Sequence, residues 1–192
     1  MELLENRIKK DGEVLPGNIL KVNTFLNHQV DTELLDQMAR EFFRLYDGVP
    51  VTKIITIESS GIAVAYPVAS LMGVPLIFAK KHQSSNVNED VYSAEVFSYT
   101  HGQNYNVVVS KRLISKDDKL LIVDDFLANG KALEGLIQIV ESAGAKVQGV
   151  CIAIEKSFQD GGKKIREKGY RVESLARIKS MTDDGGIEFI HN

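Results

Sequence analysis

The chain has 192 residues, of which 44% are hydrophobic and 26% are charged, values that are ordinary for a soluble globular protein. This length suits a single domain over residues 1–192 and is sufficient to bury a sizeable core. The net charge of -3 argues against a nucleic-acid-binding protein, because binding to a phosphate backbone is normally driven by a basic surface. We therefore expect small metabolites as ligands and no nucleic-acid partner.

The cysteine content and the N-terminal residues bear on the cellular compartment. Cys151 is the single cysteine and lies in an apolar run, so we expect a buried thiol rather than a nucleophile or a disulfide. The first ten residues carry charges throughout, and no window approaches the ~20 apolar residues of a membrane span. These features predict a cytoplasmic protein without a membrane partner.

Apolar spacing and turn residues predict the elements of the N-terminal region. A helix is expected over residues 1–11, and residues 13–29 contain a Pro-Gly turn followed by a short strand. Asp31 is a good N-cap for a helix that runs to about residue 46. The segment 13–29 therefore stands apart as a small irregular unit between two helices.

From residue 53 onward the pattern alternates between strand and helix. Strands are expected at 53–57, 76–79, 120–123, 147–154 and 170–174, and helices at 61–72, 130–142 and 162–168. Such alternation predicts a doubly wound, mainly parallel α/β sheet that is flanked by helices. Ligands of these sheets bind beyond the carboxyl ends of the strands.

The interval 80–110 interrupts this alternation. Residues 91–99 and 107–109 have strand character and a turn is expected at 101–104, which predicts an antiparallel excursion. Residues 83–90 are polar and without period, so we expect a flexible loop that is either a lid or an ordinary surface loop.

Residues 120–132 carry the strongest chemical signal. A buried strand is followed by Asp124 and Asp125, two like charges that require a cation or a polyol beside them. The small-residue turn that follows opens a helix, where backbone N–H groups and the helix dipole favour an anion. A sugar phosphate fits the acid pair and the turn together. Taken separately, the acid pair is more simply interpreted as a strand end, and the small residues as an ordinary turn.

Three other strand ends carry polar residues. The run Glu58 to Gly61 makes a second small-residue turn suited to an anion. Lys80, Lys81 and His82 follow the next strand and could neutralise a leaving pyrophosphate, although a solvated basic strand end is also compatible. Lys156 and Phe158 follow a later strand, where a flat heterocycle could hydrogen-bond and stack; a salt-bridged lysine and a core phenylalanine are the alternative.

Taken together, these runs resemble the type I phosphoribosyltransferases, and the match is closest to their xanthine branch. The matching runs are residues 56–62, 78–82, 124–130, 154–159 and 169–178. The resemblance implies a type I phosphoribosyltransferase fold with a flexible-loop excursion, and a small N-terminal hood, residues 13–29, over the base.

The resemblance also implies an activity and a set of site residues. It implies the conversion of xanthine and 5-phosphoribosyl 1-pyrophosphate to xanthosine 5'-monophosphate and pyrophosphate, with Mg²⁺ bound through substrate oxygens and water, in a homodimer. Asp124 and Asp125 are the implied catalytic pair. The implied phosphoribosyl-pyrophosphate-binding residues are Ala128, Asn129, Gly130, Lys131, Ala132, Glu58, Ser59, Ser60, Gly61 and Lys81, and the implied xanthine-binding residues are Leu20, Asn27, Lys156 and Phe158.

Two alternatives to this activity stay open. An ammonium such as that of Lys156 only donates hydrogen bonds, so it suits a 6-oxopurine and disfavours adenine. The amide of Asn27 can donate to xanthine or, when flipped, accept from guanine, so a guanine or hypoxanthine preference is compatible with the chemistry. A non-catalytic regulator that senses phosphoribosyl pyrophosphate is the other alternative.

Overall fold

A computed structural model describes residues 1–82, 90–98, 103–182 and 184–191. The helices are α1 (Glu2–Asp11), α2 (Thr32–Leu45), α3 (Ser60–Met72), α4 (Lys131–Ser142) and α5 (Gly161–Glu167), with a π turn at Asn23–Asn27 and a 3-10 turn at Lys111–Leu113. The strands are β1 (Glu13–Leu15), β2 (Ile19–Lys21), β3 (Lys53–Ile57), β4 (Leu76–His82), β5 (Val91–Ser98), β6 (Gln103–Ser110), β7 (Lys119–Leu127), β8 (Lys146–Lys156), β9 (Val172–Met181) and β10 (Ile187–Phe189).

Within these described ranges the central sheet has eight strands in the order β10-β9-β8-β7-β3-β4-β6-β5. Strands β9, β8, β7, β3 and β4 run parallel, whereas β10, β6 and β5 are antiparallel additions at the two edges. The prediction of a doubly wound, mainly parallel α/β sheet is confirmed. Strands β5 and β6 supply the expected antiparallel excursion.

Both faces of the sheet are covered, which explains the continuous apolar run of β7. Leu121 and Val123 pack into one core with α2 and α3, and Leu120 and Ile122 pack into a second core with α4. All four side chains are fully buried. A strand in the middle of a parallel sheet needs apolar residues on both faces, so it lacks the alternation of a half-exposed strand.

The N-terminal region has the order of elements that the sequence predicts. The side chain of Asp31 accepts a hydrogen bond from the backbone N–H of Leu34 at 3.1 Å and caps α2 as expected. Strands β1 and β2 form an antiparallel hairpin, and the π turn follows directly. Residues 13–27 thus form the unit that separates α1 from α2.

Several strands are longer than the sequence pattern indicates. Strand β7 continues to Leu127 because β8 pairs beside it as far as Glu155, so the prediction that Asp124 and Asp125 lie beyond the strand end is wrong. Strand β4 continues to His82 because β6 pairs with its last three residues. Strand β9 continues past residue 174, and β10 had no predicted counterpart.

Two predicted features fall outside the described residues. These are most of the polar loop at 83–90, interpreted as a lid or a surface loop, and the first half of the turn at 101–104. Among the helices that the structure does describe, none has both the length and the apolar character required to cross a membrane.

Candidate active site

Strands β3 and β7 lie side by side in parallel register, and the region beyond their carboxyl ends is called the crevice below. From this pair the sheet extends through β4 in one direction and through β8 and β9 in the other. Helix α3, which follows β3, and helix α4, which follows β7, belong to opposite faces of the sheet. This reversal is the topological switch point, where doubly wound sheets bind their ligands.

The two acids of β7 are held inside this crevice. Asp124 is 5% exposed and Asp125 is 8% exposed, and the backbone N–H of Asp125 donates to Oδ1 of Asp124 at 3.0 Å. Burial, followed by the neighbouring charge of Asp125, raises the pKa of Asp124 well above its ordinary value. The pair therefore favours ligands that bring positive charge or hydroxyl donors.

The start of α3 approaches the acid pair closely because residue 61 is a glycine. A β-carbon at Gly61 would lie 2.6 Å from Oδ1 of Asp124 and 2.3 Å from Oγ1 of Thr56, so no larger residue fits. Thr56 is fully buried, and its hydroxyl has no hydrogen-bond partner within the described part of the chain. The turn after β3 and the acids of β7 thus form one continuous surface.

The same turn is tied to the end of β4. Oε1 of Glu58 accepts a hydrogen bond from the backbone N–H of Lys81 at 2.6 Å, and the peptide bond between Glu58 and Ser59 is cis. The ammonium of Lys81 lies 5.6 Å from the centre of the Tyr105 ring. The positive charge of Lys81 acts to lower the pKa of Asp124, against the effects of burial and of Asp125. This ammonium is therefore within electrostatic range of the acid pair.

The turn between β7 and α4 places a glycine in the left-handed conformation directly before the helix. Gly130 has a φ of 84° and directly precedes α4, a conformation that glycine adopts without strain. The backbone N–H of Lys131 donates to Oδ1 of Asn129 at 3.3 Å, and its ammonium pairs with Glu134 at 2.9 Å. The lysine side chain therefore runs along the exposed start of α4, and Ala132 follows it within the first turn of that helix.

The predicted base-binding residues lie at the end of β8 and in the N-terminal unit. The ammonium of Lys156 donates to the carbonyl oxygen of Asn18 at 2.7 Å and lies 5.7 Å from the Phe126 ring centre; burial lowers its pKa. Phe158, just after β8, is 37% exposed. The structure thus joins the N-terminal unit to Lys156.

The other two predicted base-binding residues differ in exposure. Asn27 is exposed at the end of the π turn, where its amide is accessible. Leu20 is 6% exposed and belongs to the apolar core. Its methyl group lies 3.3 Å from the position that a β-carbon at Gly12 would occupy, so its contacts in this structure are with the core and the end of α1.

The donor set suits a hard cation that keeps most of its water. Among the described residues no three His, Cys, Asp or Glu side chains converge as a metal site. Asp124 and Asp125 nevertheless present carboxylate oxygens, which is what Mg²⁺ prefers, and this ion commonly binds through one or two carboxylates plus substrate phosphates. The residues present fit such a partly protein-held ion.

Comparison with known proteins agrees with this geometry. Residues 22–184 match the family model described as phosphoribosyl transferase domain. Xanthine phosphoribosyltransferase from Ligilactobacillus salivarius is 52% identical over 189 residues, which is 98% of each chain, and its counterpart from Clostridium novyi is 54% identical over 94% of this chain and 95% of its own. The chain belongs to the xanthine phosphoribosyltransferase family. The resemblance inferred from the sequence motifs is thereby confirmed.

Solved structures show that the fold extends beyond this family. Adenine phosphoribosyltransferase from Trypanosoma brucei superposes with a TM-score of 0.78 at 16% identity, covering 98% of this chain and 85% of its own. The enzyme from Giardia lamblia gives a TM-score of 0.76 at 24% identity, covering 91% of this chain and 97% of its own. These likenesses establish the type I phosphoribosyltransferase fold.

Some residues that shape the site of this xanthine phosphoribosyltransferase family member were missed by sequence reasoning. Thr56 has the pattern of an ordinary strand residue, and only the packing of α3 shows that its hydroxyl, like Oδ1 of Asp124, lies against Gly61. Gly162 was predicted to begin a helix and Gly161 to precede it, although two adjacent glycines at that point are a signal of close backbone approach. Glu155 lies within the run 154–159 that carries the family resemblance, yet its sequence position does not show that it is one of the few buried carboxylates of the described chain.

Proposed function

We propose that this chain is a purine salvage enzyme that converts xanthine and 5-phosphoribosyl 1-pyrophosphate to xanthosine 5'-monophosphate and pyrophosphate. The observation that carries the proposal is the buried pair Asp124–Asp125 between two small-residue turns in one crevice. Relatives about half identical over nearly the whole chain are named for xanthine, which supports the choice of base.

The substrate would lie across the crevice with its two phosphate ends on the two turns. The 5-phosphate would accept hydrogen bonds from the backbone of residues 128–132 at the start of α4, where the helix dipole adds to the attraction. The pyrophosphate would face residues 58–61 and the ammonium of Lys81. The ribose hydroxyls would then face Asp124 and Asp125, whose carboxylates accept hydrogen bonds from them.

The reaction would be a displacement at the anomeric carbon. The bond from this carbon to the pyrophosphate oxygen breaks, and its electron pair leaves with pyrophosphate. A purine nitrogen supplies the electron pair of the new bond and releases its proton to the departing pyrophosphate or to water. The ring gains oxocarbenium character, as in glycoside chemistry, so nearby carboxylates stabilise the developing positive charge. Bound Mg²⁺ would neutralise the pyrophosphate, and Asp124 and Asp125 are the residues that would hold its hydration shell.

The base would be held between Lys156, Phe158 and the N-terminal unit that acts as a hood within a single domain. The ammonium of Lys156 donates to a 6-carbonyl, and the Phe158 ring stacks on the purine plane. Asn27 would donate to the 2-carbonyl of xanthine. The opposite orientation of the Asn27 amide would accept from the 2-amino group of guanine, so guanine or hypoxanthine is the second candidate base.

Steady-state kinetics across four bases tests this proposal. We expect xanthine to give the highest kcat/KM in the presence of phosphoribosyl pyrophosphate and Mg²⁺, and adenine the lowest. The Asp125→Asn variant should retain the fold while its kcat/KM drops by about tenfold or more. A wild-type protein that forms no xanthosine 5'-monophosphate under these conditions would overturn the proposal, and a higher kcat/KM for guanine would replace it with the second candidate.

We further propose that the enzyme is a cytoplasmic homodimer. Tyr66 of α3 is 67% exposed, and Leu71 of the same helix and Phe78 of β4 are 37% and 40% exposed. Phe78 alternates with Ile77 and Ala79, which face the α4 core, so its side chain lies on the α3 side of the sheet. A second copy of the chain would cover this apolar surface.

A further inference from the structure

An ion pair with a buried carboxylate lies next to the proposed purine-binding lysine. Glu155, the chain neighbour of Lys156, is 2% exposed. Its Oε1 and Oε2 accept hydrogen bonds from Nη1 and Nη2 of Arg166 at 2.8 and 2.7 Å, and Oγ of Ser174 donates to Oε2 at 2.5 Å. Such bidentate pairs are strong and fix the orientation of both partners. This pair therefore joins the end of β8 to α5 and β9.

Gly162 makes the pair possible. A β-carbon at this position would lie 2.3 Å from Oε1 of Glu155 and 2.7 Å from Nη1 of Arg166. Any larger residue would occupy the space that the hydrogen-bonded oxygen and nitrogen require. The backbone of α5 therefore lies directly against the Glu155–Arg166 pair.

Gly161, the preceding residue, lies directly against the proposed phosphate turn. Its N–H donates to the carbonyl oxygen of Ala128 at 3.1 Å. A β-carbon at Gly161 would lie 2.3 Å from that oxygen and 2.6 Å from the backbone nitrogen of Gly130. The contact is mutual, since a β-carbon at Gly130 would lie 3.1 Å from the α-carbon of Gly161.

We propose that Gly161, Gly162, Glu155 and Arg166 are positioning residues that couple the 5-phosphate turn to the purine-binding end of β8. This inference rests on the proposed function. Two consecutive glycines contact the phosphate turn on one side and the ion pair on the other, so a displacement of the start of α5 shifts both halves of the site. The unit holds the phosphate and the base of one nucleotide at a constant separation, which is the geometric requirement of a site that joins them.

Equilibrium binding of two ligands isolates this coupling. Ribose 5-phosphate engages the phosphate turn alone, whereas xanthosine 5'-monophosphate engages both halves. The Kd of ribose 5-phosphate divided by the Kd of xanthosine 5'-monophosphate, both measured by calorimetry, therefore reports what the base contributes once the phosphate is bound. The proteins compared are the wild type, Gly161→Ala, Glu155→Gln and Lys156→Met, with Glu167→Gln as the matched control, because Glu167 belongs to an exposed ion pair on the same helix.

In Gly161→Ala we expect weaker ribose 5-phosphate binding and also a ratio at least about fivefold smaller than in the wild type. The added methyl group must displace either the turn or α5, and a displaced α5 carries the ion pair with it. In Glu155→Gln the ratio should shrink by a similar factor, while ribose 5-phosphate binding changes less than about twofold. Lys156→Met should resemble Glu155→Gln, and Glu167→Gln should resemble the wild type.

A Gly161→Ala variant that weakens both ligands by the same factor would overturn the coupling, because its effect would then stop at the phosphate turn. An unchanged ratio in Glu155→Gln would overturn it as well. Near-ultraviolet circular dichroism checks the fold, and if Gly161→Ala is unfolded, Glu155→Gln decides the outcome. Failure of the proposed function is seen separately: the wild type then shows no xanthosine 5'-monophosphate binding, and the ratio is measured with the 5'-monophosphate of its preferred base.

Discussion

Asp124, which we propose to face the ribose hydroxyls, lowers the stability of the fold. Its carboxylate is almost completely buried next to another carboxylate, and burial and the neighbouring charge raise its pKa. An acid whose pKa is higher in the folded than in the unfolded state makes unfolding easier as the pH rises between the two values. The crevice therefore stores an unfavourable interaction that a cationic or hydroxyl-bearing ligand relieves.

The Asp124→Asn variant should accordingly be more stable than the wild type without ligands. At pH 8 we expect an unfolding free energy higher by about 1 kcal/mol, equivalent to a Tm higher by about 2–4 °C, together with a kcat/KM at least about tenfold lower. At pH 4 the difference in Tm should largely disappear. Thermal unfolding at both pH values checks this, with Asp47→Asn, which alters an exposed acid, as control; a lower Tm for Asp124→Asn at pH 8 contradicts it.

Lys156 gives a second test at a single side chain. In Lys156→Met the apolar stem near Phe126 is kept and the donor to the 6-carbonyl is lost. Because a hydrogen bond to a charged group contributes about 1.5–3 kcal/mol, the KM for xanthine should rise by about 10-fold or more. The KM for phosphoribosyl pyrophosphate should stay within about twofold of the wild-type value.

The matched control for this variant is Lys146→Met, at the exposed start of the same strand. We expect its kinetics to equal those of the wild type. An unchanged KM for xanthine in Lys156→Met would remove this lysine from the base-binding site.

At the level of single elements, a polar cluster around Asp118 joins β3 and β7. Asp118 lies just before β7, away from the crevice. Its Oδ2 accepts hydrogen bonds from Lys53 at 2.7 Å and from the backbone N–H of Ser115 at 2.8 Å, and its Oδ1 accepts one from Thr52 at 2.9 Å. Burial alone would raise the pKa of Asp118, but these hydrogen bonds outweigh it and lower the pKa to about 2. The cluster ties the start of β3 to the start of β7, the two strands that form the crevice.

Because the pKa of Asp118 is lowered on folding, its stabilising effect is present above pH 4 and is lost as the pH falls towards 2. The Asp118→Asn variant should be about 2 kcal/mol less stable than the wild type at pH 6, and this gap should narrow steadily below pH 4. Urea unfolding across this range measures the gap. The control is Asp117→Asn, since Asp117 is exposed; a gap that does not change with pH would show that the hydrogen-bond geometry, rather than the charge, matters.

The order and type of the elements could be predicted from the sequence, whereas the strand ends could not. Apolar runs and turn residues located β3, β7 and β8, and Asp31 was identified as the cap of α2. The extension of β7 through Asp124 and Asp125 depends on β8 pairing beside these residues. Local pattern places charged residues outside a strand, while a neighbouring strand can keep them within it.

For the molecule as a whole, the exposed apolar surface around Tyr66 should decide the oligomeric state. Tyr66→Asp places a charge in the middle of the proposed contact, so sedimentation velocity should show a shift from dimer to monomer. The control is Leu3→Asp, because Leu3 is 42% exposed on α1, which contacts β9, a strand on the other side of β3 and β7 from β4. A wild-type protein that sediments as a monomer at micromolar concentration would exclude the homodimer.

The sequence by itself determined the doubly wound sheet, the acid pair, the two small-residue turns and the family, because each of these follows from residues close together in the chain. Tertiary structure alone decided that Gly61 brings Thr56 to Asp124 and that Gly161 and Gly162 link the turn at Ala128 to Glu155. The contacts of Gly61 with Asp124 and of Gly161 with Ala128 join elements that are distant in sequence, and their requirement for glycine is steric. Spacing along the chain carries no record of which backbones meet, so only the packed fold could reveal them.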